Sequence, residues 1–419
     1  MTSLSLLLWI VSGVALQLAI FLSISFWRHW QGYLALRSSA EELNVPQPHA
    51  AHEEAEYTAI ATWQGFRTFR VDRKVIEDAV QSVCSFYLVP EDGQPLPPFM
   101  PGQFLTFRLD VPTATGSTEQ IVRCYSLSDA PRPDGYRVSI KRVPPPLGSE
   151  FPLGRSSTYF HDQVAAGSLL QVRAPGGHFH IDRSDAPVVL IAGGIGITPM
   201  LSMLNWCLAE QPGREFWLFY GVRNDRELVM KSHLENLAAT HSNFHLRLCF
   251  SDPQPEDMGK HAHRGRVNVE LLRMQLPLKP YHFYICGPTP MLESMVPALE
   301  DWGVPDAHIH FEAFGPSSIK RKQPAATAAP QVEATGIVVT FAKSGKQLPW
   351  QPAAGNLLEF AETNGIAVDS GCRAGSCGTC QTTISAGEVA YNQAPDYDPE
   401  PGTCLICSCK PKTSLTLEA

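Results

Sequence analysis

Six of the chain's eleven cysteines crowd between positions 372 and 409. Cys372, Cys377 and Cys380 in "SGCRAGSCGTCQ" have the spacing C-x4-C-x2-C, and Cys404, Cys407 and Cys409 follow in "PGTCLICSCK". Thiolates at that spacing, completed by one distant cysteine, suit a 2Fe–2S cluster. Gly371, Gly375 and Gly378 would let a tight loop wrap the cluster and turn backbone N–H groups toward its sulfurs. Zinc sites more often draw on separated C-x2-C pairs. The fourth ligand must come from the second group. If that segment is extended, Cys407 and Cys409 face one way and Cys404 the other, so periodicity leaves two candidates open. The other five cysteines are scattered singly, which fits a reduced chain with one metal site better than a disulfide framework.

A second kind of chemistry is written in glycines. "LIAGGIGITPML" sets Gly193, Gly194 and Gly196 between an apolar strand and a helix, where bare backbone can approach a pyrophosphate and helix N–H groups favour an anion. "FYICGPTPML" repeats the logic with Cys286, Gly287 and Pro288 ahead of a helix near Pro290. Two such strand ends can flank one crevice at the carboxyl edge of an open sheet. Read blandly, the glycines make a tight turn and Cys286 is a small buried hydrophobe. Upstream, "RCYSLS" alternates Arg123 and Tyr125 on one strand face, followed by Ser126. Arginine can clamp a phosphate, tyrosine can lie on a flat ring, and serine can bond its edge. Lys141 and Arg142, then "GRSSTYFHD" with Ser157, add charge and hydroxyls at another strand-to-helix junction. His161–Asp162 and the histidines 261 and 263 read as structural or surface groups.

These residues need elements to hold them. From Trp63 to about Asp182, short alternating runs such as "SFYLV", "QFLTFRL", "YRVSIKRV" and "SLLQVRA" are separated by Pro/Gly turns, the pattern of a small antiparallel barrel. From Ala186 to about Phe314, continuous apolar runs ("PVVLIAGG", "EFWLFYG", "FHLRLCF", "HFYICG") alternate with the helical stretches "TPMLSMLNWCLAE" and "ELVMKSHLENLAA". That is the rhythm of a parallel sheet covered on both faces. An Ala/Pro-rich linker leads to a last unit beginning near Gly336. The net charge of −8 and the lack of a long basic run give no reason to expect nucleic acid. Residues 3–27 carry no charge and are long enough for a transmembrane helix. No Lys or Arg precedes that run and bulky residues close it, unlike a cleaved signal. Arg28 and Arg37 follow, so the positive-inside rule places the bulk of the chain in the cytoplasm of a single-pass inner-membrane protein.

In order, "RCYSLS", "YRVSIKR", "GRSSTYFHD", "PGGHF", "AGGIGITPM", "YICGPTPML" and "HFEAFGP" resemble the ferredoxin–NADP reductase superfamily, and above all the reductase module of flavohaemoglobins. No globin unit precedes them, so nitric-oxide dioxygenation is not implied. The segment from Gly336 resembles plant-type ferredoxin domains. The resemblance implies an antiparallel FAD-binding β-barrel (60–184), a parallel α/β NAD(P)H-binding domain (185–316) and, after a linker (317–335), a β-grasp 2Fe–2S ferredoxin domain (336–419). With the apolar run as a transmembrane anchor (3–27) and a polar tether (28–59) ahead of them, the expected architecture is α/β and β multidomain, and the anchor departs from the family's soluble members. The resemblance implies that Arg123, Tyr125, Ser126, Lys141 and Ser157 hold the flavin and that Phe314 covers its ring. Gly193, Gly194, Gly196, Thr198, Gly287 and Pro288 would line the dinucleotide site, with Cys286 and Thr198 beside the hydride path. The family's spacing of Gly402, Leu405 and Pro411 selects Cys407 as the fourth cluster ligand beside Cys372, Cys377 and Cys380. FAD is expected over FMN from the long "GRSSTYFHD" segment. In "YGVRNDRE", Asp225 suits a ribose hydroxyl and Arg223 and Arg226 a 2′-phosphate; NADH is favoured. The expected function is an electron-transfer reductase serving an unidentified, membrane-associated acceptor protein such as an oxygenase, desaturase or cytochrome. The alternative is a redox subunit or sensor with little turnover of its own.

Overall fold

In a computed structural model of the chain the described residues are 17, 63, 65–113, 116–145, 153–314, 336–368, 370, 371, 373, 375, 378–391, 395 and 399–419. The expected anchor, tether and linker therefore lie, residue 17 apart, outside the described residues. Among the described residues no helix is long and apolar enough to cross a membrane. The chain divides into two compact units, 1–60 and 61–419, and every element named below belongs to the second.

Six strands make the first sheet: β1 (Arg67–Ile76), β2 (Val83–Pro90), β3 (Phe104–Pro112), β4 (Thr118–Ser126), β5 (Tyr136–Lys141) and, after helix α1 (Arg155–Gln163), β6 (Leu169–Val172). They run β4-β3-β6-β1-β2-β5, antiparallel throughout, and a bridge between Leu127 and Val138 joins the two ends. Alternate residues point inward, so Phe69, Val71, Phe86, Leu88, Phe107, Val138 and Ile140 fill the interior and Phe160 of α1 seals it.

Next come β7 (Val188–Gly193), α2 (Ile197–Glu210), β8 (Phe216–Val222), α3 (Lys231–Thr240), β9 (Phe244–Phe250), β10 (Ala262–Arg264), α4 (Val269–Gln275), β11 (His282–Gly287), α5 (Thr289–Trp302) and β12 (Ile309–Ala313). The strands lie in the order β10-β9-β8-β7-β11-β12, all parallel. β7 and β8 are central, which explains their unbroken apolar sequences. One core forms under α2 and α3 and another under α4 and α5. The stretch "ELVMKSHLENLAA" is not helical from its start: α3 begins at Lys231, after Met230 takes a left-handed conformation (φ 55°). The backbone there is drawn to the barrel instead, with Met230 N–H donating to the Glu77 carbonyl (3.0 Å) and Ala79 N–H to that of Arg226 (3.1 Å).

The last unit holds β13 (Val338–Phe341), β14 (Lys346–Pro349), α6 (Leu357–Thr363), β15 (Gln381–Ala386), β16 (Val389–Tyr391), β17 (Thr403–Leu405), β18 (Cys409–Pro411) and β19 (Leu415–Leu417). A mixed sheet runs β14-β13-β19-β15-β17, with β13 and β19 parallel, and β16 pairs separately with β18. Asn356 caps α6, its side-chain oxygen accepting from the Glu359 N–H at 2.9 Å.

Candidate functional site

The ends of β7 and β11 meet through their glycines. A Cβ on Gly196 would lie 2.1 Å from the Cys286 carbonyl oxygen, and one on Gly193 would lie 2.6 Å from Met291 Sδ. A Cβ on Gly287 would lie 3.1 Å from the Gly193 Cα. Three of the four glycines thus serve the closeness of the two strand ends to each other. Gly194 differs: it is left-handed (φ +54°) and its Cβ direction opens on space with nothing within 4 Å. That gives a ligand its approach to bare backbone. Thr198 follows in the first turn of α2, buried, its hydroxyl donating to the Ile195 carbonyl at 3.0 Å. Pro288 precedes the first residue of α5.

Cys286 lies fully buried in the core beneath α2, and burial and then nearby Glu312 push its thiol well above the ordinary range. It does not face open crevice. Glu312 pairs with Cys286 across β11 and β12, and its Oε2 is buried with no hydrogen-bond partner. Burial pushes this carboxyl up to about 8, so it holds its proton at neutral pH. Nothing in the pattern of "HFEAFGP" marks Glu312; only the burial of its carboxyl does. Phe314, two residues on, is 42% exposed at the mouth of the same edge.

On the barrel, Tyr125 and Ser126 end β4. The Tyr125 ring packs edge-on against Phe107 and Phe160 (centroids 5.9 and 5.3 Å), and its hydroxyl lies 2.8 Å from Ser156 Oγ. Burial pushes that phenol up to about 12. The bond ties β4 to the first turn of α1, whose N-terminus has no side-chain cap. N–H groups left there suit a pyrophosphate. Ser157 has another task besides: its hydroxyl accepts from Val143 N–H (3.1 Å) and donates to the Gly154 carbonyl (3.0 Å), holding the loop that precedes the helix. Arg123 is exposed beside Tyr125, and Lys141 ends β5 half-buried. Arg142 is occupied by Asp162, and His161 by the Ile140 carbonyl (2.9 Å), so that neighbourhood is structural.

After β8, Asp225 pairs with Lys231 at 2.6 Å and Arg223 with Glu227. Asp225 and Lys231 border a cavity of about 540 Å³ between barrel and nucleotide-side sheet, lined also by Glu77, Asp78, Arg137 and His233.

In the last unit two cysteine sulfurs come together. Cys380 and Cys407 approach to 2.9 Å, both nearly buried. Cys372 and Cys377 lie outside the described residues, and among the described residues no three His, Cys, Asp or Glu are grouped to hold a metal. Of the neighbours of these two cysteines, Arg373, Gly375 and Gly378 are left-handed, and a Cβ on Gly375 would lie 3.0 Å from the hydroxyl of Ser408, the residue after Cys407. The two described thiols brought together fit part of the soft donor set that an iron–sulfur cluster takes. The second cysteine group is not extended. β17 stops at Leu405, residues 406–408 turn, and β18 starts at Cys409. Cys404 and Cys409 consequently sit fully buried on two strands while Cys407 rides the turn. Alternation across a single strand was the wrong geometry for this segment.

Comparison with known proteins agrees with this anatomy. Residues 190–296 match the family described as oxidoreductase NAD-binding domain, and residues 339–412 the 2Fe-2S iron-sulfur cluster binding domain. The flavohemoprotein of Bacillus thuringiensis subsp. konkukian is 39% identical over 272 residues, 64% of each chain. That of Rhizobium meliloti is 36% identical over 296 residues, 70% of each. The chain thus spans 64% of the length of the first of these curated relatives. Among solved structures, the flavohem-like FAD/NAD binding domain of a Vibrio cholerae nitric oxide dioxygenase is 32% identical with a TM-score of 0.53, covering 60% of this chain and all of that one. Phthalate dioxygenase reductase is 27% identical with a TM-score of 0.50, covering 85% of this chain and 98% of that one. FAD, NAD(P)H and a 2Fe–2S cluster are the cofactors of this architecture. With its flavin-type barrel, NAD-binding sheet and C-terminal cluster-binding unit, the chain belongs to the ferredoxin–NADP reductase superfamily, in the form that carries a 2Fe–2S ferredoxin domain.

Proposed function

We propose that the protein is a membrane-anchored NAD(P)H-dependent reductase that passes electrons, through FAD and its own 2Fe–2S cluster, to a partner oxygenase, desaturase or cytochrome. The observation that carries this reading is the bond from α2, the helix that starts at the β7–β11 glycine crevice, to Asp129 just beyond barrel strand β4, on a chain that also brings the Cys380 and Cys407 sulfurs together. The bound flavin would accept a hydride as two electrons and release them singly to the cluster. The chain's own residues do the rest. Gly194 admits the dinucleotide backbone, Tyr125 and the α1 N-terminus position ring and phosphates, and Phe314 shields the reacting face. Glu312, protonated at pH 7, keeps a proton beside Cys286 at the same edge. Asp225 offers the loop expected at the ribose an acceptor for a 2′-hydroxyl, and Glu227 occupies Arg223, which a 2′-phosphate would need; both support NADH.

Residues 3–27 supply the anchor in this reading and place the reductase on the cytoplasmic face of the inner membrane. A membrane-associated acceptor would then meet its donor at raised effective concentration. Two measurements test the proposal. Detergent-solubilised full-length protein should reduce ferricyanide and cytochrome c with NADH, and Cys407→Ser should lose cytochrome c reduction while keeping ferricyanide reduction. Deleting residues 1–35 should move the protein from the membrane to the soluble fraction. A flavin-loaded chain that neither nucleotide reduces would overturn the enzyme reading.

A further inference from the structure

The barrel and the nucleotide-side sheet are joined by a polar clamp that no motif announces. Three residues beyond Ser126, at the end of the ring-binding strand, lies Asp129. Its backbone carbonyl accepts from Ser202 Oγ at 2.8 Å, and its Oδ1 accepts from Asn205 Nδ2 at 2.7 Å. Ser202 and Asn205 are one helical step apart on the same face of α2. That helix starts at Ile197, immediately after the glycine crevice. Behind Asp129 the barrel wall is braced. Arg137, 8% exposed, donates Nε to Ser128 Oγ (3.2 Å) and a second N–H to the Ser128 carbonyl, and its Nη1 lies 3.5 Å from Asp129 Oδ2. Ser128, Ser139 and Ser85 continue as a buried hydroxyl chain at 2.8 and 2.7 Å. On the far side, His233 Nε2 lies 3.0 Å from Asn205 Oδ1, which links α3 and the Asp225 loop to the same point.

The two arms of the clamp are comparable in length. Asn205 is seven residues from Thr198, about 10 Å along a helix. Asp129 is three residues from Ser126, also about 10 Å along an extended chain. A shift at the clamp therefore reaches the ring and the nicotinamide pocket with little attenuation. We infer that Asp129, with Ser202 and Asn205, is a positioning device that fixes the distance between the flavin strand and the nucleotide helix. It governs the hydride step without touching the reacting atoms. This inference rests on the proposed reductase function.

Asp129→Ala would strip the buried Arg137 of its anionic partner, so the break is better made from the helix side. Ser202→Ala, Asn205→Ala and the double variant leave both cofactor cradles intact. The reductive half-reaction of full-length protein is followed by stopped-flow with NADH and with its 4-deuterated form. Misplacement by about 1 Å predicts a hydride rate in the double variant lower by about 10- to 100-fold, with nucleotide Kd within about threefold. The primary deuterium isotope effect should also become more temperature-dependent, because the donor–acceptor distance is less well held. Asn205→Gln, which keeps the amide, should recover part of the rate. A double variant with parental rate and isotope effect overturns the clamp and leaves the reductase reading standing. Parental protein that NADH and NADPH both fail to reduce overturns the two together.

Discussion

Alanine at Gly196 is the sharpest probe of the crevice. Gly196 has ordinary helical torsions (φ −60°), so backbone strain plays no part in the expected effect. The new Cβ would sit 2.1 Å from the Cys286 carbonyl oxygen, 2.4 Å from its carbon and 2.8 Å from the Gly287 nitrogen. All three are backbone atoms at the carboxyl end of β11, paired on both sides in a parallel sheet, and none can rotate away. Carbon contacts are comfortable near about 3.5 Å, so the loop and β11 must part by about 1 Å. Overpacking of this kind costs about 1–3 kcal/mol, and a backbone clash belongs at the upper end. In a domain of this size that lowers Tm by roughly 4–10 °C. Because the displaced atoms form the floor of the proposed hydride site, the hydride rate should fall about 100-fold as well. Gly194→Ala is the contrasting control. Its Cβ meets nothing, but its φ of +54° costs an L-residue about 1–2 kcal/mol, and the methyl group fills the space offered to the dinucleotide. It should lose less stability and chiefly raise the KM for NADH. Thermal unfolding and stopped-flow reduction distinguish the two. A Gly196→Ala protein with parental Tm and parental hydride rate would refute the account of the strand ends.

Cys407→Ser should abolish the visible absorption and electron paramagnetic resonance signal of the cluster. Cys404→Ser and Cys409→Ser should keep both signals but lose about 1–2 kcal/mol, because a hydroxyl replaces a fully buried thiol; loss of the cluster in Cys409→Ser alone would move the ligand by two residues. Glu312→Gln retains shape and removes the titration, so the change in hydride rate between pH 7 and 9 should flatten. Acid should destabilise the sheet through the cluster at the foot of β11 and β12. There Arg214 and His282 pair with Asp182, and His310 stacks on Tyr284 with ring centroids 4.5 Å apart. Burial, then neighbouring His282, lowers the His310 imidazole to about 4. The unfolded chain therefore takes up this proton near pH 6.5 and the folded chain only near 4. Stability falls as pH drops through that window, by on the order of 1–2 kcal/mol after allowing for partial exposure. Burial opposes the Asp182 carboxylate, but His282, Arg214 and Ser184 outweigh it and hold its pKa well below the usual range. Its contribution is lost only below about pH 4, so melting curves should show two successive acid losses, and His310→Phe should remove the first.

The sequence disclosed what is periodic or locally spaced. β7, β8 and β11 were plain because strands buried on both faces need continuous apolar residues. β2, β3 and β5 were plain because alternate residues enter the barrel interior. The strand–glycine–helix junctions and the C-x4-C-x2-C loop were legible because their chemistry depends on neighbours in the chain. What failed depended on distant partners. The start of α3 was misjudged because the backbone of Arg226 and Met230 bonds to the barrel turn at Glu77 and Ala79. Glu312 passed unnoticed because only tertiary burial makes an ordinary acidic residue hold its proton. Asp129 and its helix partners are more than seventy residues apart, and no pattern links them. The purpose of the glycines was legible only in part, since a ligand and a neighbouring strand make the same demand for a missing Cβ.

The interior of the last unit has one further consequence. Among the described residues, four of the sixteen that form its buried core are cysteines, packed with Phe341, Leu357 and Phe360. A unit this small has little apolar reserve. Two of the four, Cys380 and Cys407, are expected ligands, and where ligands belong to the core itself, acquiring iron and completing the fold become one event. Maturation would then act as a checkpoint. In an iron-poor cell, newly made chains would retain a loosely closed C-terminal unit exposed to proteases, while their barrel and nucleotide-side sheet were already complete. Iron supply would set the amount of finished protein through turnover, with no change in its synthesis.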